Sequence, residues 1–122
     1  MSTQAPGDLV ASRVTVLRNN VVAEVILAER TLPYAGRRTD AFARMAAGNA
    51  WSDWHLLAEA VQDVSITSDT SQHEPTALIS AIVWRPVPVG AIAANHVTHQ
   101  LMYFRLTAAG VAGADPLTST AP

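Results

Sequence analysis

Two histidines three residues apart, His96 and His99, have the spacing in this sequence that most resembles a metal site. Residues three apart share one face of a helix, but they point to opposite faces of a strand. The segment is predicted to be a strand, and no HExxH sequence or cysteine accompanies it. We therefore expect no metal. One histidine should lie at the sheet surface and the other should pack against Leu101 and Tyr103.

A second candidate site for chemistry combines Asp53 and His55 with the flanking Trp51 and Trp54. Burial in an aromatic pocket would shift the pKa of either group and could produce an acid–base pair. A helix beginning at Asp53 gives a different interpretation. The carboxylate would then favour the first helical turn, and His55 would lie on the polar face one turn from Glu59.

Arg37, Arg38 and Arg44 form a small basic cluster in the sequence. Guanidinium groups can bind a phosphate or carboxylate through two parallel hydrogen bonds. Asp40 lies nearby to neutralise them, and we expect solvated side chains or a subunit contact rather than an anion site.

The composition excludes several reaction classes. The eight basic residues are all Arg, so Schiff-base chemistry and the lysine of a Walker-type loop are excluded. The sequence has no Cys, which excludes thiol nucleophiles, thiolate zinc sites, iron–sulfur clusters and disulfides. It contains no GxGxxG or GxSxG motif. A net charge of -2 predicts no nucleic-acid partner, and we expect no cofactor.

The secondary structure of residues 9–32 determines the fold of the N-terminal half, and the sequence fits two alternatives. Six Val and one Ile favour a hairpin that turns at Asn19–Asn20. The alternative is one helix, because a stripe of apolar residues recurs at intervals of three and four.

The rest of the chain predicts two short helices followed by three strands. Thr39 and Ser52 are suitable N-caps, and Gly48 can end the first helix. The fold is therefore predicted to be α+β, in the order β-β-α-α-β-β-β, with a mostly antiparallel sheet and the helices on one face. The helices cover residues 40–47 and 53–63, and the last three strands cover 64–67, 76–84 and 97–106. A single domain, 9–107, is flanked by an arm, 1–8, and a small-residue tail, 108–122.

These features favour a non-enzymatic assembly protein. Only 15% of the residues are charged, and a surface this apolar often becomes a subunit interface. Terminal segments of small residues need neighbours to hold them. We expect a homo-oligomer or a part of a larger particle, for example a phage-like component.

The N-terminus lacks signal-peptide features, no run reaches the ~20 apolar residues of a membrane span, and we expect a cytoplasmic protein. Absent Lys and abundant Ala, Val and Arg suggest a GC-rich genome.

The alternative is a small-molecule enzyme or binder. Residues 54–106 resemble the NTF2-like family in their order of a helix, a short strand and two long apolar strands. That resemblance implies a cone of helices over a curved sheet, and an isomerase, cyclase or hydrolase. It requires a buried polar residue in an apolar pocket, such as Asp53, His55 or His99. A ligand-sensing module also fits this order of elements, since fold alone does not determine function.

Overall fold

A computed structural model describes residues 5–34, 36–86 and 97–114, which contain nine β-strands and one short 3₁₀ turn. The strands form two antiparallel sheets. Their bounds are β1 Asp8–Val16, β2 Val22–Leu32, β3 Gly36–Ala47, β4 Ala50–Trp51, β5 His55–Ala58, β6 Val61–Ser68, β7 Ala77–Pro86, β8 Val97–Thr107 and β9 Gly110–Ala114.

The predicted α+β fold is wrong, because both predicted helices are strands. β3 occupies the first of them, and β5, a turn and the start of β6 occupy the second. The alanine-rich segment 41–46 has high helix propensity, but it lies centrally in a sheet with β2 on one side and β4 and β5 on the other. Burial on both faces overrides that propensity. The NTF2-like cone loses its support, since the helices it requires are absent from the described residues.

The predicted hairpin over residues 9–32 is confirmed, and the single helix is wrong. β1 and β2 pair antiparallel, and the 3₁₀ turn Arg18–Asn20 joins them. Asn19 and Asn20 both have φ of 60°, in the left-handed region that asparagine tolerates better than most residues. Across the turn, the Leu17 N–H donates to the Val21 carbonyl at 2.6 Å.

The nine strands divide into sheet A, β1 to β5, and sheet B, β6 to β9. In sheet A the order is β1-β2-β3, and β4 and β5 both pair with β3. Sheet B runs β6-β7-β8-β9 and contains the three predicted C-terminal strands. β9 lies within the segment predicted to be a tail, and β1 begins inside the predicted arm.

One apolar core fills the space between the sheets, as in a β-sandwich. Alternate residues of each strand point inward, and these residues form the core. The core includes Val25, Leu27, Ala41, Ala43 and Met45 from sheet A, and Val64, Ile79, Val83, Phe104 and Leu106 from sheet B. The outer face of sheet A carries a second, smaller cluster of Ile26, Ala28 and Phe42, against which Trp54 packs. Among the described residues, no helix has the length and apolar character needed to cross a membrane.

Candidate functional site

An open groove of about 280 Å³ lies between the β3–β4 turn and the β8–β9 turn. Its walls are mainly apolar, with Met45 and Trp51 on one side. Three polar side chains reach it, from Ser52, His55 and Thr107.

Two of the three polar groups in the groove are already used to build its walls. The Ser52 hydroxyl accepts a hydrogen bond from the Met45 N–H at 3.0 Å and donates to the Asp53 carbonyl. The Thr107 hydroxyl oxygen accepts from the Ala109 N–H at 3.2 Å. His55 is half-buried and its backbone belongs to the β3–β5 ladder, but its imidazole forms no hydrogen bond with another described residue. The groove can therefore offer one imidazole and an indole face to a small molecule.

Trp51 is held in place by an arginine from β3. The Arg44 guanidinium lies between two indoles, 4.0 Å from the centroid of Trp51 and 4.2 Å from that of Trp54. Its Nε donates to Glu24 Oε1 at 2.9 Å, and the Ser12 hydroxyl donates to the other oxygen of Glu24 at 2.9 Å. This stack fixes the segment between β4 and β5 on the outer face of sheet A.

The structure does not bring the predicted catalytic residues together. Asp53 is exposed and forms no ion pair with His55 in the part of the chain that is described. His99 is exposed on the outer face of sheet B, where its ring lies 4.2 Å from that of Trp84 rather than in a pocket. The predicted acid–base pair therefore has no counterpart in this geometry.

The other weak metal candidate, His96, lies outside the described residues. Within them, no group of three or more His, Asp or Glu side chains is arranged to hold a metal ion.

The predicted arginine cluster is divided among three sets of partners. Arg37 pairs with Asp8 and Glu29, and the hydrogen bond from Arg37 to Asp8 raises the pKa of the guanidinium. Arg38 contacts Asp40 and Glu59, and its bond to Asp40 likewise raises its pKa. With Arg44 held between the indoles, all three cations are already partnered.

The sequence placed Asp40 beside the arginines that it neutralises, but it did not predict that this carboxylate is the centre of a buried charge network. The carboxylate is fully buried and accepts from Arg38 Nε at 2.7 Å, Arg38 Nη2 at 3.0 Å and the Ala60 N–H at 3.1 Å. Arg30 Nη1 lies 3.4 Å away. Placement of residue 40 in a helix hid this role, because the network depends on the β2–β3 pairing and on the turn before β6.

Strand β1 forms a free edge of sheet A. Within the described residues, β1 pairs only with β2, so one row of its backbone N–H and C=O groups has no ladder partner. Four of the eight exposed large hydrophobic residues belong to this strand: Leu9, Val10, Val14 and Val16 are 61%, 57%, 57% and 60% exposed. The hairpin prediction did not identify this edge, because a hairpin can also lie between other strands of a sheet.

Comparisons with known proteins supply no relative: no protein-family model, curated protein or solved structure matches the chain.

Proposed function

We propose that this protein is a non-enzymatic assembly protein that binds other subunits through the free edge of β1, as a homo-oligomer or as part of a larger particle. The observation that carries the proposal is an edge strand of nine residues whose exposed side chains are mostly apolar. Such an edge is a template for another extended strand, because the unpaired backbone groups supply hydrogen bonds and the side chains supply specificity.

The side chains of β1 support binding rather than protection of the edge. Native sheets usually protect a free edge with Lys, Pro or inward-pointing charges. This chain has no Lys, and β1 contains no Pro. The one cation of β1, Arg13, is on the inner face of sheet A, since it pairs with the core residue Val25. Its charge is offset by Asp63 of β6 at 3.8 Å. A bulge between Leu9 and Ala11 interrupts only the beginning of the strand.

The exposed valines set the magnitude of the expected effect. Fully burying one valine side chain contributes about 1.5–3 kcal/mol. Val14 is 57% exposed, so burying the rest of it contributes about 1–1.5 kcal/mol. Val14→Lys removes that contribution and adds a charge at the edge. Since both partners of a homo-oligomer carry the change, the loss should be about 2–3 kcal/mol, or about 30- to 150-fold in dissociation constant.

The test is native mass spectrometry and light scattering of the wild-type chain and of two variants. Val14→Lys should dissociate the assembly. The matched control is Leu101→Lys, which introduces the same charge at a similarly exposed residue on the outer face of sheet B and should leave the assembly intact. A wild-type chain that stays monomeric at all concentrations would contradict the proposal. Dissociation by Leu101→Lys alone would place the interface on sheet B.

A small-molecule binder is the second candidate function, and the groove at Trp51 with His55 is the observation that favours it. Tryptophan fluorescence titrations with small aromatic acids and amides, compared with a His55→Ala variant, would detect such binding. A cytoplasmic location is also part of the proposal, and cell fractionation tests it.

A further inference from the structure

We infer that the partner of β1 is β1 of a second copy, paired antiparallel about a two-fold axis at Val14. This inference rests on the proposed function and specifies its geometry. The pairing would join two copies of sheet A into one continuous sheet.

The two-fold symmetry limits the allowed registers. A two-fold axis perpendicular to a sheet leaves each side chain on its own face, and successive residues of a strand alternate between faces. Directly opposite residues must therefore come from the same face of each copy. Only registers centred on a single residue satisfy this condition.

The bulge in β1 and the charge of Arg13 determine which residue lies on the two-fold axis. Regular pairing with β2 covers Ala11 to Val16, so a five-residue pairing can be centred on Arg13 or on Val14. A centre at Arg13 places two guanidiniums directly opposite one another, which destabilises a strand pair. A centre at Val14 places two exposed valines opposite one another instead.

The Val14-centred register also gives the neighbouring residues suitable partners. Ser12 lies opposite the partner's Val16, and Arg13 lies opposite the partner's Thr15. Val14 and Val16 lie on the outer face of sheet A, because their partners in β2 are Glu24 and Val22. Two copies would thus bring four exposed valines to one face of the joined sheet.

Arg13 does not obstruct this pairing, because it belongs to the other face. Its partner in β2 is Val25, which is fully buried in the core between the sheets. Its guanidinium lies near Asp63 of sheet B and away from the outer-face valines.

Disulfide trapping tests the register directly, because the sequence has no Cys to compete. Opposite residues in an antiparallel pair have Cα atoms about 4.5–5.5 Å apart, within the range that a disulfide spans. Val14→Cys should therefore form a covalent dimer under mild oxidation. In this register Ser12 and the partner's Ser12 are four positions apart, about 13 Å along the strands.

Ser12→Cys and Val16→Cys are the matched controls, since both are exposed residues of the same strand face. Neither should cross-link with itself, but a mixture of the two variants should form a mixed dimer. Self-cross-linking of Ser12→Cys, or an absence of cross-linking by Val14→Cys in a chain that is oligomeric by native mass spectrometry, would overturn the register and leave the proposed function standing. A monomeric wild-type chain would overturn both.

Discussion

Replacing Arg44 with methionine tests the cation–aromatic stack that shapes the groove. The Arg44 side chain is only 13% exposed, so its two indole contacts and its bond to Glu24 are formed largely away from water. Each cation–π contact contributes about 1 kcal/mol in such a setting. The charge-assisted hydrogen bond contributes about 1.5–3 kcal/mol. Methionine retains part of the apolar packing but none of these interactions, so Arg44→Met should lower the free energy of unfolding by about 3.5–5 kcal/mol.

Urea unfolding followed by tryptophan fluorescence measures this loss. The control is Arg18→Met, since Arg18 is exposed and its Nη2 donates to the Thr70 carbonyl at 2.7 Å. That variant should lose at most about 1 kcal/mol. Both variants are compared in the Val14→Lys background, so that subunit dissociation does not contribute to the transition. Equal losses for the two variants would refute the assigned energy of the stack. Arg44→Lys should recover less than half of the loss, because an ammonium cannot stack flat between two rings.

Three further changes have defined outcomes. Asp40→Ala should lower the free energy of unfolding by about 3 kcal/mol in chemical denaturation, because it leaves the Arg38 cation and the Ala60 N–H without their buried acceptor; a loss below about 1 kcal/mol would contradict this. Ala60→Gly should raise the thermal midpoint, since Ala60 has φ of 55° and glycine removes a strain of about 1–2 kcal/mol; a lower midpoint would show that the turn is not strained. The hydrogen bond from the Ser71 hydroxyl lowers the pKa of Asp69, so the carboxylate stabilises the fold above the unfolded-state pKa of about 4, and this stabilisation is lost as pH falls through the folded-state pKa. The difference in urea midpoint between wild type and Asp69→Asn should therefore close with acidification, and a constant difference would contradict the assignment.

The sequence correctly predicted the strands that are rich in β-branched residues. It wrongly predicted a helix for the alanine-rich segment 40–47. Valines on both sides of Asn19 and Asn20 specify a hairpin locally, because two residues that tolerate positive φ separate two runs of high strand propensity. Residues 40–47 carry no such local signal. Their strand conformation is set by the strands that pair with β3 on both sides. The periodicity of a single sequence does not reveal which strands will pair.

The grouping of Asp53 with His55 rested on adjacency in the sequence and not on a fold. The two residues lie two positions apart beside Trp51 and Trp54, and here they precede and begin a short strand. The stack of Arg44 on Trp51 and Trp54 joins residues that only the fold of sheet A brings together. Low charge content did predict an apolar surface, but its location on β1 depended on knowing which strand lies at the edge.

Hydrogen exchange of the β1 backbone amides reports strand pairing at this edge residue by residue. Exchange between residues 12 and 16 should slow as protein concentration rises, because the outward N–H groups become bonded to another strand. Val14→Lys should abolish this dependence on concentration. Exchange that is equally fast at every concentration in the wild-type chain would contradict a function based on pairing at this edge.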